Sequence, residues 1–358
     1  MAGPSRKYLG EIVDVKPEYR LDPARLTQFF GDRVKGFAGP IDLRQFEGGF
    51  SNPTYFVETP QRRYVLRKKP AGALIKSAHA VDREFRVMSA LHNADFPVPE
   101  PLAFCDDETI LGTPFYVMSY VQGRVFFDCT MPDLSPADRA EVFDQCNAAI
   151  ARLHSFDYAA LGLGDFGRPG NYFTRQINLW SKQYIAARTE EIPEMEKLLT
   201  WLPTAIPDDD TTCLVHGDYS FHNILYHPTE PRILAVLDWE LSTLGHPFGD
   251  LFYNGMDWFR PAGLGLRGSL QGQDLAALGV PTLDQYVATY CDRTNTKPPE
   301  HTGFYKAYML FRMAAIGQGI VARAAAGTGI NPAAAEHGRR VQPLAKAAWY
   351  HAQEAGAL

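Results

Sequence analysis

"CLVHGDYSFHNILYHP" (residues 213–228), followed within a few residues by "AVLDWE" (235–240), sets Asp218, Asn223 and Asp238 among short apolar runs. "TCLV" and "NILY" have the composition of strands, "HPTEP" that of a turn, and "RILAVLDW" forms a longer apolar run. The spacing predicts an antiparallel hairpin over residues 223–238. Folding back about the turn brings Asn223 and Asp238 to the same end, and the loop "HGDYSFH" with Asp218 feeds into that end. One amide and two carboxylates converge there. Two of the three suit a hard, oxygen-liking cation such as Mg²⁺, and one is free to meet a substrate.

The rest of the chain bounds what such a site serves. At 358 residues the chain exceeds the ~100–200 residues usual for one domain, which predicts two packed lobes. Hydrophobic residues at 46% and charged residues at 21% describe a folded enzyme rather than a disordered chain. A net charge of −6 and a pI near 5.9 supply no general basic field for nucleic acid or an anionic membrane, so any phosphate site is local. Cys105, Cys129, Cys146, Cys213 and Cys291 are scattered, odd in number and free of a C-x-x-C pair. They fit a reducing compartment better than a disulfide framework. No apolar h-region opens the sequence, and no apolar run approaches the ~18 residues of a membrane span. The expectation is a cytoplasmic protein with no membrane or nucleic-acid partner.

Residues 41–69 alternate as strands do, in "IDLRQFEGGFSNPTYFVET" and "RRYVLRKK". Val81, Phe85, Met88 and Leu91 then repeat at helical spacing, and "TPFYVMSYVQG" (113–123) reads as a buried strand ending in glycine. Beyond it "SPADRAEVFDQCNAAIARLHSF" starts a helix, with Ser135 as cap, Pro136 at the first helical position, and Phe143, Cys146, Ile150 and Leu153 on one face. Further helical pattern covers 304–323 and the C-terminal region. The organisation is α+β in two lobes, a small β-rich N-lobe (1–120) and a larger, mainly helical C-lobe (121–358). "GLGDFG" (162–167) matches a dinucleotide-binding spacing, but a helix precedes it where that motif requires a strand, so it reads as a helix connection.

The set around the hairpin is what phosphoryl transfer needs: a carboxylate for the attacking hydroxyl, and an Asn and an Asp to hold Mg²⁺ on nucleotide phosphates. The spacing D-x-x-x-x-N is that of a kinase catalytic loop, with "HGD" where protein kinases have H-R-D. With the "LDW" that follows, the sequence resembles the aminoglycoside-phosphotransferase-like family of small-molecule kinases. The resemblance implies a protein-kinase-like fold, ATP and Mg²⁺ as cofactors, Asp218 as catalytic base, and Asn223 and Asp238 as metal ligands. "FEGGFSNPTYFV" resembles that family's phosphate-covering turn. Gly48 and Gly49 would let backbone N–H groups approach phosphate, with Ser51 and Asn52 as further donors.

"YVLRKKP" stands where kinases carry V-A-I-K. Alternation puts Arg67 and Lys68 on opposite faces, so only one of them can face a nucleotide, and alignment favours Arg67. Glu84 lies beside the apolar stripe of its helix as the ion-pair partner. Met118, Ser119 and Tyr120 would offer backbone groups to an adenine edge. His216 is expected to shape the loop and Asp250 to buttress it. Tyr219 and His222 are candidates to lie near substrate, Glu240 to join the outer shell of the metal, and Arg312 to meet an anionic acceptor.

"VLRKKPAG", "SAHAVDREFRVM" and "AVLDWELSTLGHP" are most similar to kinase-like domains that precede an acyl-CoA dehydrogenase domain. For those relatives the implied acceptors are 4-hydroxy acids or their CoA esters. Three alternatives stay open: a nucleotide-holding pseudokinase, suggested by Arg67 in place of lysine; a kinase of an aminoglycoside or choline-like alcohol; and a metallohydrolase built on His216, Asp218, His222 and Asp238.

Overall fold

The computed structural model describes residues 10–47, 52–70, 80–264, 268–327 and 334–358. In chain order the elements are β1 (Ile12–Asp14), α1 (Pro23–Arg33), β2 (Asp42–Phe46), β3 (Thr54–Glu58), β4 (Arg63–Lys68), α2 (Val81–Asn93), β5 (Pro101–Cys105), α3 (Glu108–Leu111) and β6 (Phe115–Ser119). There follow α4 (Pro136–His154), α5 (Tyr172–Ala187), α6 (Pro193–Trp201), β7 (Cys213–Val215), β8 (Ile224–Tyr226), β9 (Ile233–Val236), β10 (Thr243–Gly245) and α7 (Pro247–Asn254). The chain closes with α8 (Leu275–Leu278), α9 (Leu283–Thr294), α10 (Gly303–Ala325) and α11 (Ala334–Glu354). One compact unit takes in the chain as far as Phe126, with Asp157–Phe166 and Phe221–Ser242; the other comprises Phe127–Phe156, Gly167–Ser220 and Thr243–Leu358.

The first unit is built on an antiparallel sheet of order β1-β2-β3-β4-β6-β5. Its β-branched and aromatic residues alternate between two apolar faces. Tyr55, Val57, Tyr64, Leu66, Phe115 and Val117 pack with Leu26, Phe29 and Phe30 of α1. Asp22 caps α1 by accepting from the N–H groups of Ala24 and Arg25. On the opposite face Phe85 of α2 meets Phe104 and Tyr116. The helix stripe differs from expectation at one point: α2 buries Glu84 together with Val81, Val87, Met88 and Leu91, while Phe85 is only half-buried.

The predicted hairpin is present as β8 and β9, with Ile224 opposite Val236 and the Leu237 N–H donating to the Asn223 carbonyl at 2.8 Å. It is tied to its unit by paired main-chain bonds between Arg124 and Tyr226, and by the Val236 N–H donating to the Pro97 carbonyl.

The second unit is mainly helical. In α4 the Ser135 hydroxyl accepts from the Asp138 N–H, Pro136 opens the helix, and Phe143, Cys146, Ile150 and Leu153 are fully buried. Phe173 of α5 packs its ring edge-on or tilted against Phe304, Tyr305 and Tyr308 of α10. Strands β7 and β10 pair antiparallel and carry the chain into and out of the HGD loop region. "GLGDFG" forms turns after α4, as its context requires. All five cysteines are buried and none forms a disulfide. Among the described residues no helix is long and apolar enough to cross a membrane.

Candidate active site

Strand alternation decides where each basic residue of β4 goes. Arg67 follows Val65 onto the α2 face and Lys68 follows Leu66 onto the α1 face. Arg67 Nη1 lies 3.2 Å from Glu84 Oε1. Its Nη2 lies 2.8 Å from Asp238 Oδ1 and 3.3 Å from Glu240 Oε2. Lys68 Nζ instead donates to Thr113 Oγ1 at 2.6 Å, and burial lowers its pKa. Of the two candidates, the structure brings only Arg67 to the acids of α2 and the hairpin.

Three carboxylates therefore share one guanidinium. Burial disfavours the charge on Arg67, but Glu84, Asp238 and Glu240 outweigh it and hold its pKa above the ordinary value. Glu84 is 1% exposed. Burial pushes its pKa up to about 7 against the pull of Arg67, with Asp238 and Glu240 adding to the rise. Tyr116 on β6 borders this pair; the sequence held no signal for it beyond its place on a buried strand.

Asp238 lies two residues past the end of β9 and adopts φ +65°, a left-handed conformation that costs a non-glycine residue energy and marks a constrained position. The neighbouring Trp239 holds it there. Its indole N–H donates to the Val236 carbonyl at 3.0 Å, and its ring packs edge-on against Phe96. Asn52 is 2% exposed and its Nδ2 donates to Glu240 Oε2 at 3.5 Å, while its Oδ1 has no partner among the described residues. Gly48, Gly49 and Ser51 lie outside the described residues. Met118 sits in β6 opposite Val65; the Ser119 N–H donates to the Glu100 carbonyl and the Tyr120 N–H to the Arg63 carbonyl. Those two N–H groups are spent inside the unit.

In the second unit the HGD loop is held by α7. Asp250 in its first turn is 1% exposed and accepts from the His216 N–H at 2.5 Å and the Gly217 N–H at 2.8 Å. His154 Nε2 stands 3.3 Å from the same carboxylate, and His154 Nδ1 is 2.8 Å from the Tyr290 hydroxyl. Burial raises the pKa of Asp250, but His154, His216 and the Gly217 N–H more than offset it, and the group stays below the usual carboxylate value. His216 is fully buried and its Nδ1 accepts the Asp218 N–H at 3.1 Å. The imidazole thus orders the loop.

Asp218 itself is half-buried. Gly217 before it has φ +85°, a conformation glycine adopts without penalty. His222 is half-buried. Tyr219 departs from expectation. It is fully buried, with its hydroxyl donating to the Cys146 carbonyl at 2.9 Å, and so belongs to the core rather than to a substrate surface. His154, which the sequence analysis passed over, was signalled only by its place four residues after Ile150 on the buried face of α4. Among the described residues no three His, Cys, Asp or Glu side chains gather as a transition-metal cage requires, so the metallohydrolase reading lacks its ligand set.

The family model described as the phosphotransferase enzyme family matches residues 42–286. Mouse acyl-CoA dehydrogenase family member 10 is 43% identical over 318 residues, covering 89% of this chain and 30% of its own. Human acyl-CoA dehydrogenase family member 11 is 38% identical over 342 residues, covering 94% and 44%. The chain thus spans less than half the length of these curated relatives. Among solved structures, a Ralstonia eutropha protein with a provisional aminoglycoside phosphotransferase designation is 46% identical with a TM-score of 0.87, covering 94% of this chain and 99% of that one. A spectinomycin phosphotransferase shares the fold at 11% identity and a TM-score of 0.60, covering 94% and 100%. The chain belongs to the phosphotransferase enzyme family, with the α+β fold of its aminoglycoside-phosphotransferase-like small-molecule kinases.

Proposed function

We propose that the chain transfers the γ-phosphoryl group of ATP, with Mg²⁺, to a hydroxyl of a small molecule, and that the acceptor is a 4-hydroxy acid or its CoA ester. The observation that carries the reading is Arg67, which joins Glu84 of α2 to Asp238 at the end of the hairpin. A basic strand residue, a helix acid and an acid at the metal-loop position are the parts phosphoryl transfer uses to hold nucleotide phosphates.

Each residue then has a role its surroundings allow. Arg67 offers a planar fork of donors to phosphate oxygens. Asn223 and Asp238 would hold Mg²⁺. They supply hard oxygen donors from the same end of one hairpin, and three carboxylates around one guanidinium leave an excess of negative charge there. When bound, the ion neutralises charge on the phosphates. Asp218, on its braced loop, accepts the proton of the acceptor hydroxyl. The acceptor oxygen forms a bond to the γ-phosphorus as the bond from that phosphorus to the β,γ-bridging oxygen breaks, and ADP leaves.

ATP as donor is supported by family relatives crystallised with ADP or AMP-PNP. Curated relatives named for acyl-CoA chemistry favour an acid or CoA-ester acceptor over an aminoglycoside. Cysteines without disulfides fit a reducing, cytoplasmic setting. Asp218→Ala should lower kcat by roughly 10²- to 10⁴-fold while MgATP affinity, measured by calorimetry, stays near wild type. Undiminished turnover in that variant would remove the assignment.

A further inference from the structure

Arg312 of α10 is not used in the reaction outlined above, and its surroundings are unusual for a cation. It is 7% exposed, and the one carboxylate that acts on its charge, Asp218, forms no ion pair with it among the described residues. Its Nη2 donates to the Gly217 carbonyl at 3.1 Å, and its Nε has no partner among the described residues. The guanidinium lies 5.5 Å from the Trp180 ring centroid and 5.0 Å from that of Tyr253. Both rings, like Asp218, are only half-buried.

The groups that act on Arg312 are Tyr308, Tyr172, Tyr253 and Asp218. Phenols are neutral near pH 7, and burial pushes Tyr308 up to about 12 and Tyr172 higher still. Asp218 is the one carboxylate among them, and it is the group assigned to the acceptor proton. A buried cation with no carboxylate within ion-pair distance among the described residues is costly and is retained where something else pairs with it. One carbonyl and two ring faces stabilise a guanidinium in part but do not neutralise it.

We infer that Arg312, between Trp180 and Tyr253, anchors a free carboxylate on the acceptor molecule. This rests on the kinase reading above. The guanidinium fork matches a carboxylate, and the rings cover the carbon chain and keep water from the pair. Because Arg312 bonds the carbonyl just before Asp218, anchor and base stand close together. The acceptor is therefore a hydroxy acid, its carboxylate on Arg312 and its hydroxyl on Asp218. A polycationic aminoglycoside would set like charge against Arg312.

The test compares wild type, Arg312→Met and Arg312→Lys on 4-hydroxypentanoate, its amide and its CoA thioester, following ADP release with MgATP. Arg312→Met should raise KM for the free acid roughly tenfold or more, with kcat little changed and with the amide and thioester unaffected; Arg312→Lys should recover part of the loss. Equal losses on all three compounds, or a fall in kcat alone, would leave Arg312 as a brace for Gly217 and overturn the inference. Thermal melting supplies a readout independent of turnover. The acid should raise Tm of wild type and not of Arg312→Met, and the variant alone should melt no lower than wild type. A large drop in Tm of the unliganded variant, or no acid-induced shift in wild type, also overturns it. MgADP is the control: if it fails to stabilise wild type, the kinase reading itself fails.

Discussion

Glu84 and Asp250 are two carboxylates with the same 1% exposure and opposite behaviour. Burial pushes Glu84 up to about 7, and the Arg67 charge set against it is shared with Asp238 and Glu240. Asp250 pays the same burial cost but stays below the ordinary value, because His154 and two main-chain N–H groups are aimed at it. Donors fixed by the backbone make a permanent anion, whereas a cation divided among three acids makes an adjustable one. The permanent anion braces the HGD loop. The adjustable set is what the proposed function requires, since its charges would have to rearrange on binding phosphate and metal.

The strongest way to break this comparison is Asp250→Asn, which replaces an acceptor oxygen by an amide and removes the fixed charge. Stability should fall by roughly 3–5 kcal/mol, read as a lower urea midpoint, and turnover should fall with it. The sign of the pH effect follows from the lowered pKa. The stabilisation from Asp250 is present above its ordinary value of 3.8 and is lost as pH falls through the lower folded value. Asp250→Asn should flatten that acid limb, and an unchanged limb would mean that the carboxylate is not the anchored anion described.

A smaller effect of opposite sign belongs to Glu84. Its folded-state pKa is raised, so its contribution is fully present below 4.5 and is lost as pH rises through about 7. The difference in stability between wild type and Glu84→Gln should therefore change by roughly 3 kcal/mol across that window, and urea titrations at several pH values would show it. A constant difference would contradict the adjustable set. Smallest of all is Lys68→Met. With Nζ bonded to Thr113 on the far face of the sheet, its loss should change stability by about 1–2 kcal/mol and leave kcat/KM for ATP unchanged. A large rise in KM for ATP would return Lys68 to the nucleotide.

Much of the frame was legible because it is written in local chemistry. "HPTEP" between apolar runs specifies the β8–β9 hairpin, and Ser135 with Pro136 and the spacing of Phe143, Cys146, Ile150 and Leu153 specifies α4. The D-x-x-x-x-N spacing from Asp218 to Asn223, with Asp238 beyond the turn, carried the family resemblance. Period-two alternation alone requires Arg67 and Lys68 to face opposite ways.

Which of them meets Glu84 was decided only when β4 paired between β3 and β6, since that pairing determines which face of the strand lies under α2. Tyr219 went to the core for a similar reason: the Cys146 carbonyl that its hydroxyl reaches lies 73 positions away in the chain. Arg312 reads as one more polar residue in a core helix until Trp180, Tyr253 and the Gly217 carbonyl are folded around it. Caps, turns and alternation act over a few residues and so are visible in the sequence. The partner of a side chain depends on which distant elements share its face, and only the tertiary structure supplies that.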